Sequence, residues 1–164
     1  MAQSVFPAPS AASKTRKVES LYSGTSWTVP ANVTYVNATL IGGGGGAGTA
    51  NDSNGSLSFT GSTGFGGQIT QTTVATTPAA SITYAIGAGG TGSGTGDGGN
   101  GGSTTFTGAT TAVGGLGAKD PGGVTAGGRD GLVATNGAAF QASANRYTTG
   151  GNGGSGAIIL EYWV

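Results

Sequence analysis

Glu19, Asp52, Asp97, Asp120, Asp130 and Glu161 are the whole acidic inventory of a 164-residue chain that has no histidine and no cysteine. Histidine is the commonest general base and metal ligand, and a thiolate is the usual alternative nucleophile. Paired carboxylates could still run acid–base chemistry, yet no two of the six stand at the i, i+3 or i, i+4 spacing that would bring them together on a helix. The inventory predicts a protein that is not an enzyme and carries neither metal nor cofactor. One stretch imitates a phosphate cradle, because GGGGGAGT follows an apolar, strand-like run. A nucleotide loop requires a lysine and then a helix after its glycines, and neither follows here.

The residues left over suit binding. KTRKVE, with Lys14, Arg16, Lys17 and Glu19, is the one charge cluster, and it follows a segment of small residues broken by Pro7 and Pro9. Residues 1–20 are expected to form an extended arm. Val5 and Phe6 would be its apolar anchors, and Lys14, Arg16 and Lys17 would meet an acidic surface on another protein. Two stretches, 49–65 and 116–132, look like exposed loops. Phe59, Phe65, Phe140 and Tyr147 could stack on a sugar or protein, with Lys119, Asp120, Arg129, Asp130 and Arg146 supplying hydrogen bonds. For each aromatic, packing in a core or between subunits is the competing role.

Composition narrows the class. Glycine accounts for 37 of 164 residues and charged residues for 7%, with a formal net charge of zero. Average usage is about 7% glycine and about 25% charged. A neutral chain is a poor nucleic-acid binder, since phosphate attraction supplies most non-specific affinity. It also has little self-repulsion to keep copies apart. No run of residues is long and apolar enough to insert in a membrane. The first fourteen residues lack the positive start and apolar run of a secretion signal. The composition suits a subunit packed in an assembly, made inside a cell and carried out, if at all, within a particle.

The elements that would position these residues are strands. In 35–41, Val36, Ala38 and Leu40 alternate with Tyr35, Asn37 and Thr39, a half-buried pattern of period two. Residues 68–76 and 81–86 read as strands joined by a hairpin turn at Thr77-Pro78-Ala79. Pro30-Ala31-Asn32 reads as another turn, where asparagine tolerates left-handed geometry. The C-terminal AIILEYWV places Ile158, Leu160 and Tyr162 on one face and Ile159, Glu161 and Trp163 on the other. Residues 137–147 could form at most one short helical turn.

Glycine tracts are appended directly to these strands. A left-handed extended helix with three residues per turn makes no internal hydrogen bonds, so its amides need partners outside it. Side-by-side packing of such helices brings backbone against backbone, and only glycine leaves room. The expected signature is glycine in pairs with a period of three. GGNGGS occurs twice, at 98–103 and 150–155, with Asn and Ser at the third, outward position. Gly42, Gly43, Gly44, Gly45 and Gly46, then Gly98, Gly99, Gly101 and Gly102, then Gly150, Gly151, Gly153 and Gly154, are the expected packing positions of a polyglycine-II-like bundle. The fold expected is all-β: a small β-sandwich over 21–164 with glycine helices beside it, preceded by the arm.

In order along the chain, WTVPANVTYVNATLIGGGGGAG, SITYAIGAGG, GGNGGSTTF and GGNGGSGAIILEYW resemble the glycine-rich domain of bacteriophage tail-fibre and adhesin proteins. The resemblance spans 27–163 and includes Trp27, Pro30, Tyr84 and Tyr162, which are not low-complexity residues. This chain departs from the pattern in having fewer long glycine runs and a Thr/Ala-rich stretch at 113–149. The resemblance implies a virion component of a tail fibre or tail tip, docked to other virion proteins and presenting loops to a host surface receptor. Short length equally suits a purely structural subunit, such as a head-decoration, head-fibre or connector protein. By analogy with phage fibres a homotrimer is expected. Trp163 is the candidate subunit contact, with Tyr162 turned toward the core.

Overall fold

Alternating side chains become strands here because the two larger sheets each give the other an apolar face to pack against. The computed structural model describes residues 14–48, 50–51, 58–59, 64–93, 96–119 and 151–164. Nine strands occur in them: β1 (Arg16–Leu21), β2 (Ser26–Thr28), β3 (Tyr35–Ile41), β4 (Ala50–Asn51), β5 (Ser58–Phe59), β6 (Ile69–Ala75), β7 (Ser81–Ala85), β8 (Thr105–Phe106) and β9 (Ala157–Trp163). One sheet has the order β1-β9-β3-β6 and a second β2-β7-β8, all pairs antiparallel, with β4 and β5 paired separately. No helix occurs among the described residues.

The core lies between the two larger sheets. Val36, Ala38 and Leu40 of β3 and Ile158, Leu160 and Tyr162 of β9 face Trp27, Tyr84 and Phe106 of the other sheet. Trp27 packs its ring against Phe106 at 6.2 Å and Tyr162 at 5.6 Å between centroids. Leu40, Ile158 and Leu160 are fully buried. Each such side chain stabilises the fold by about 1.5–3 kcal/mol, so these strands dominate a core with few other large residues.

The expected hairpin at Thr77-Pro78-Ala79 is instead an arch. β6 belongs to the four-stranded sheet and β7 to the three-stranded one, so the chain crosses the end of the sandwich. Residues 29–34 make the matching crossing from β2 to β3. The two arches bond to each other: Val29 N–H donates to Ala80 O, Ala79 N–H to Val29 O and Thr76 N–H to Thr34 O. Val29 and Val33, each 1% exposed, plug the core between them. A hairpin would have left these valines without a cover. Both arches use left-handed backbone, at Asn32 (φ 66) and Ala79 (φ 61).

β1 begins at Arg16, so residues 16–20, assigned to the arm from composition, belong to the sheet. Glu19 faces inward there. Its carboxylate accepts a hydrogen bond from Trp27 Nε1 (2.7 Å) and another from the Tyr162 hydroxyl. Burial, aided by the neighbouring Glu19 carboxylate, pushes the Tyr162 hydroxyl pKa up to about 12. A charge in the supposed arm thus ties together three strands, β1, β2 and β9.

Two outcomes follow. Left-handed geometry costs a non-glycine residue roughly 1–2 kcal/mol, partly offset by the entropy glycine loses on folding. Ala79→Gly should therefore stabilise by roughly 0.5–1 kcal/mol, read as a Tm higher by about 2–3 °C. Tyr162 holds its proton more tightly folded than unfolded. Its contribution is complete below about pH 10 and disappears as pH rises toward about 12. Thermal melts at pH 9 and 11 should show a smaller alkaline loss of stability for Tyr162→Phe than for wild type.

Candidate functional site

Below one end of the sandwich the chain forms six side-by-side extended segments: 42–48, 64–68, 86–93, 97–103, 113–119 and 151–156. Residues 42–48 are all buried and run through the middle. Their amides point in three directions in strict rotation. Gly42 and Gly45 donate to Gln68 and Phe65, Gly43 and Gly46 to Gly102 and Gly99, and Gly44 and Ala47 to Gly154 and Gly151. The carbonyls of Gly43 and Gly46 accept from Gly115 and Ala118, and those of Gly44 and Ala47 from Gly90 and Ser93. One tract thereby bonds to all five others, and a donor direction repeats every third residue, as a three-per-turn helix requires.

The glycines supply space rather than unusual angles. Among the described glycines only Gly24, Gly96 and Gly108 have positive φ, and none lies in the central tract. A Cβ added at Gly43 would lie 2.1 Å from the Ala88 carbonyl oxygen, at Gly45 2.0 Å from that of Leu116, and at Gly46 2.1 Å from that of Thr91. Gly98, Gly101 and Gly153 would meet the carbonyls of Gly46, Gly43 and Gly44 at 2.0–2.1 Å.

The bundle contains Gly42 to Gly46, Gly98, Gly99, Gly101, Gly102, Gly151, Gly153 and Gly154, where the period-three pattern placed them; Gly150 lies outside the described residues. Three further segments were not expected: 64–68, 86–93 and 113–119. The third positions also do more than point outward. Asn100 Oδ1 accepts from Gly117 N–H (2.8 Å) and Asn152 Oδ1 from Gly92 N–H (2.7 Å). The asparagines of the two repeats therefore satisfy equivalent amides on neighbouring helices. Thr104 closes the junction with the sandwich: fully buried, it donates to Ile41 O (2.6 Å) and accepts from Gly87 N–H (3.0 Å).

Direction along the bundle separates two poles. Segments 42–48, 86–93 and 113–119 lead away from the sandwich, and 64–68, 97–103 and 151–156 return to it. Their far ends meet: Ala47 bonds with Gly151 and Ser93, and Gly98 with Ala118. The connections from 48 to 64, 93 to 97 and 119 to 151 are all anchored at this far pole. At the opposite end Thr15 and Val164 exchange both backbone bonds, which places both residues at the sandwich side of the domain.

The candidate contact residues divide accordingly. Lys119 sits at the far pole, paired with Asp97 at 2.7 Å. Phe65, 38% exposed, is one residue into its segment from that pole. Phe59 lies in β5, in the first far connection. Asp120, Arg129, Asp130, Phe140, Arg146 and Tyr147 fall outside the described residues, in the connection from 119 to 151. Val5 and Phe6 also lie outside them. Lys14 is exposed just before β1, while Arg16 and Lys17 are in β1. Arg16 Nε donates to Glu161 at 2.6 Å and holds that carboxyl below its usual range. Trp163 is 40% exposed and Tyr162 only 4%, in the orientation the alternation predicts. Trp163 shares the outer sheet face with Tyr35, 62% exposed, and Val18, 53% exposed. Among the described residues no group of three or more acidic side chains is gathered as a metal would need.

The geometry defines a β-sandwich extended by a polyglycine-type bundle, a scaffold that holds connections at one pole. The chain belongs to the glycine-rich domain family, whose sequence model matches residues 20–157. Comparison with curated proteins gave no match.

A side chain inside the bundle must separate helices, whereas one at the third position does not. Gly101→Val or Gly153→Val should break several backbone bonds at about 1–3 kcal/mol each and melt far below wild type. Asn100→Ala leaves one amide, Gly117 N–H, without its acceptor and should lose about 1–3 kcal/mol, a single bond's penalty instead of several. Calorimetric melting of the three variants distinguishes a packed bundle from loops, which would melt alike.

Proposed function

We propose that this chain is a non-enzymatic bacteriophage virion protein of the tail tip or a tail fibre, assembled into the particle in the host cytoplasm, that contacts a surface receptor of the host. The single observation that carries the reading is the separation of poles. Connections holding the candidate contact residues Phe59, Asp120, Arg129, Asp130, Phe140, Arg146 and Tyr147 spring from one end of the bundle. Thr15 and Val164 lie at the other, where the N-terminal segment with Val5, Phe6 and Lys14 would dock to other virion proteins. A rigid bundle between the poles keeps attachment and contact apart. The resemblance to tail-fibre and adhesin domains supports the same reading. Function then rests on surface complementarity, without nucleic acid, membrane insertion or cofactor.

Two deletions test it in phage particles. Removing residues 1–13 should leave a folded domain that is missing from the particle, measured by protein analysis of purified virions. Replacing residues 121–149 with a short Gly/Ser linker should leave incorporation intact and reduce adsorption to host cells at least about tenfold. Normal adsorption by such particles would favour a purely structural head-decoration, head-fibre or connector subunit, and normal incorporation without residues 1–13 would remove the docking segment.

A further inference from the structure

The edge of the four-stranded sheet carries a self-complementary strand. β1 has one partner strand among the described residues, β9. Thr15 and Val164 exchange both backbone bonds, which fixes the alternation along the ladder. Lys17, Glu19 and Leu21 then bond to Tyr162, Leu160 and Ile158 opposite them. Arg16, Val18 and Ser20 aim their N–H and C=O groups away from β9, toward the open edge.

We infer that this edge pairs with β1 of a second copy, antiparallel about a two-fold axis through Val18. In that register Val18 meets Val18 of the partner, and Arg16 meets Ser20 of the partner. All three residues have their backbone groups turned outward, so each such pair can exchange both hydrogen bonds. The intervening pair sets Lys17 against Glu19 of the partner on one face. Lysine on an edge ordinarily discourages pairing; here the partner's Glu19 stands across from it, its carboxylate already accepting from Trp27 and Tyr162 of its own chain but keeping its negative charge, and opposite cross-strand charges are favourable. On the other face the two Val18 side chains, each 53% exposed in the single chain, cover each other. Shifting the register by one residue would put inward-bonded groups at the new edge, and shifting it by two would set Val18 against Arg16 or Ser20. A two-fold contact uses the same surface on both copies and closes on itself, leaving no repeat that could grow into a filament. The opposite edge, β6, is already engaged: Thr70 Oγ1 donates to Thr110 O, and Thr110 N–H donates to Thr72 Oγ1. The inference concerns the isolated chain and stands independently of the phage reading. It is an alternative to the three-fold closure expected by analogy with fibres.

The full chain should sediment as a dimer at micromolar concentration. Because the sequence has no cysteine, Val18→Cys provides a lone thiol on the axis. Mild oxidation should link it rapidly into a covalent dimer, whereas Ser20→Cys, facing Arg16 of the partner, should link at least about tenfold more slowly. Val18→Pro removes an outward N–H at an edge position that tolerates proline, and should yield a folded monomer. Should that variant fail to fold, Lys17→Glu places like charges across the interface and should weaken dimerisation at least about tenfold with the melting profile of the monomer retained. A wild-type monomer or trimer, faster linking through Ser20→Cys than Val18→Cys, or a dimer unweakened by either interface variant would overturn the inference.

Discussion

The structure depends on one steric fact: at Gly42, Gly43, Gly45 and Gly46 a neighbouring carbonyl oxygen occupies the place of a Cβ, 2.0–2.2 Å away. Close approach lets backbone amides of one tract reach the carbonyls of others at 2.7–3.0 Å, ordinary hydrogen-bond lengths. An extended helix in water would gain nothing of the kind, because its amides bond only to solvent. Glycine loses more freedom on folding than any other residue. Here that loss is offset by bonds that any side chain at those positions would prevent. The bundle is ordered for the same reason that a sheet is ordered, with partners on several sides instead of two.

Sandwich and bundle are continuous. Gly42 N–H donates to Gln68 O directly beyond the Ile41–Ile69 pair, so the β3–β6 ladder runs into the bundle without a break. Thr104 fastens the end of β3 to the start of the segment after β7. At the far side of the sandwich the stacked arches seal the core, and Glu19 ties the edge strand to Trp27 and Tyr162. The Thr15–Val164 pair, the sandwich, the bundle and the far ends of its six segments therefore succeed one another in that order.

Alternation made β3, β6, β7 and β9 legible, because each has one buried face and period two registers that directly. The arches were not legible. Thr-Pro-Ala marks a change of direction, but a hairpin and a crossing between sheets use the same residues, and only the burial of Val29 and Val33 decides between them. Glycine pairs revealed 98–103 and 151–154 because their third residues, Asn and Ser, are small and polar. Segments 64–68 and 113–119 obey the same spacing with Phe65 and Leu116 at outward positions, where large residues hide the signal. Peripheral helices need glycine only on the sides that meet a neighbour, whereas the central one needs it in two of its three directions and accepts nothing larger than Ala47 in the third, so the five-glycine run was the clearest mark of the site. Glu19 was read as an arm charge because its partners, Trp27 and Tyr162, are distant in sequence or carried no acidic signal of their own.

The three-direction rotation of the central tract also constrains how the gene can change. The smallest length change such a run can undergo is the gain or loss of one glycine codon. In an ordinary loop such a change is absorbed. In the tract 42–47 it turns every later amide by a third of a revolution, so that a group aimed at 64–68 faces 97–103 or 151–156 instead. Only changes by whole turns restore the alignment. A single-residue length change is thus incompatible with the bonding of this tract, whereas a length change in the connections at the far pole leaves its phase untouched.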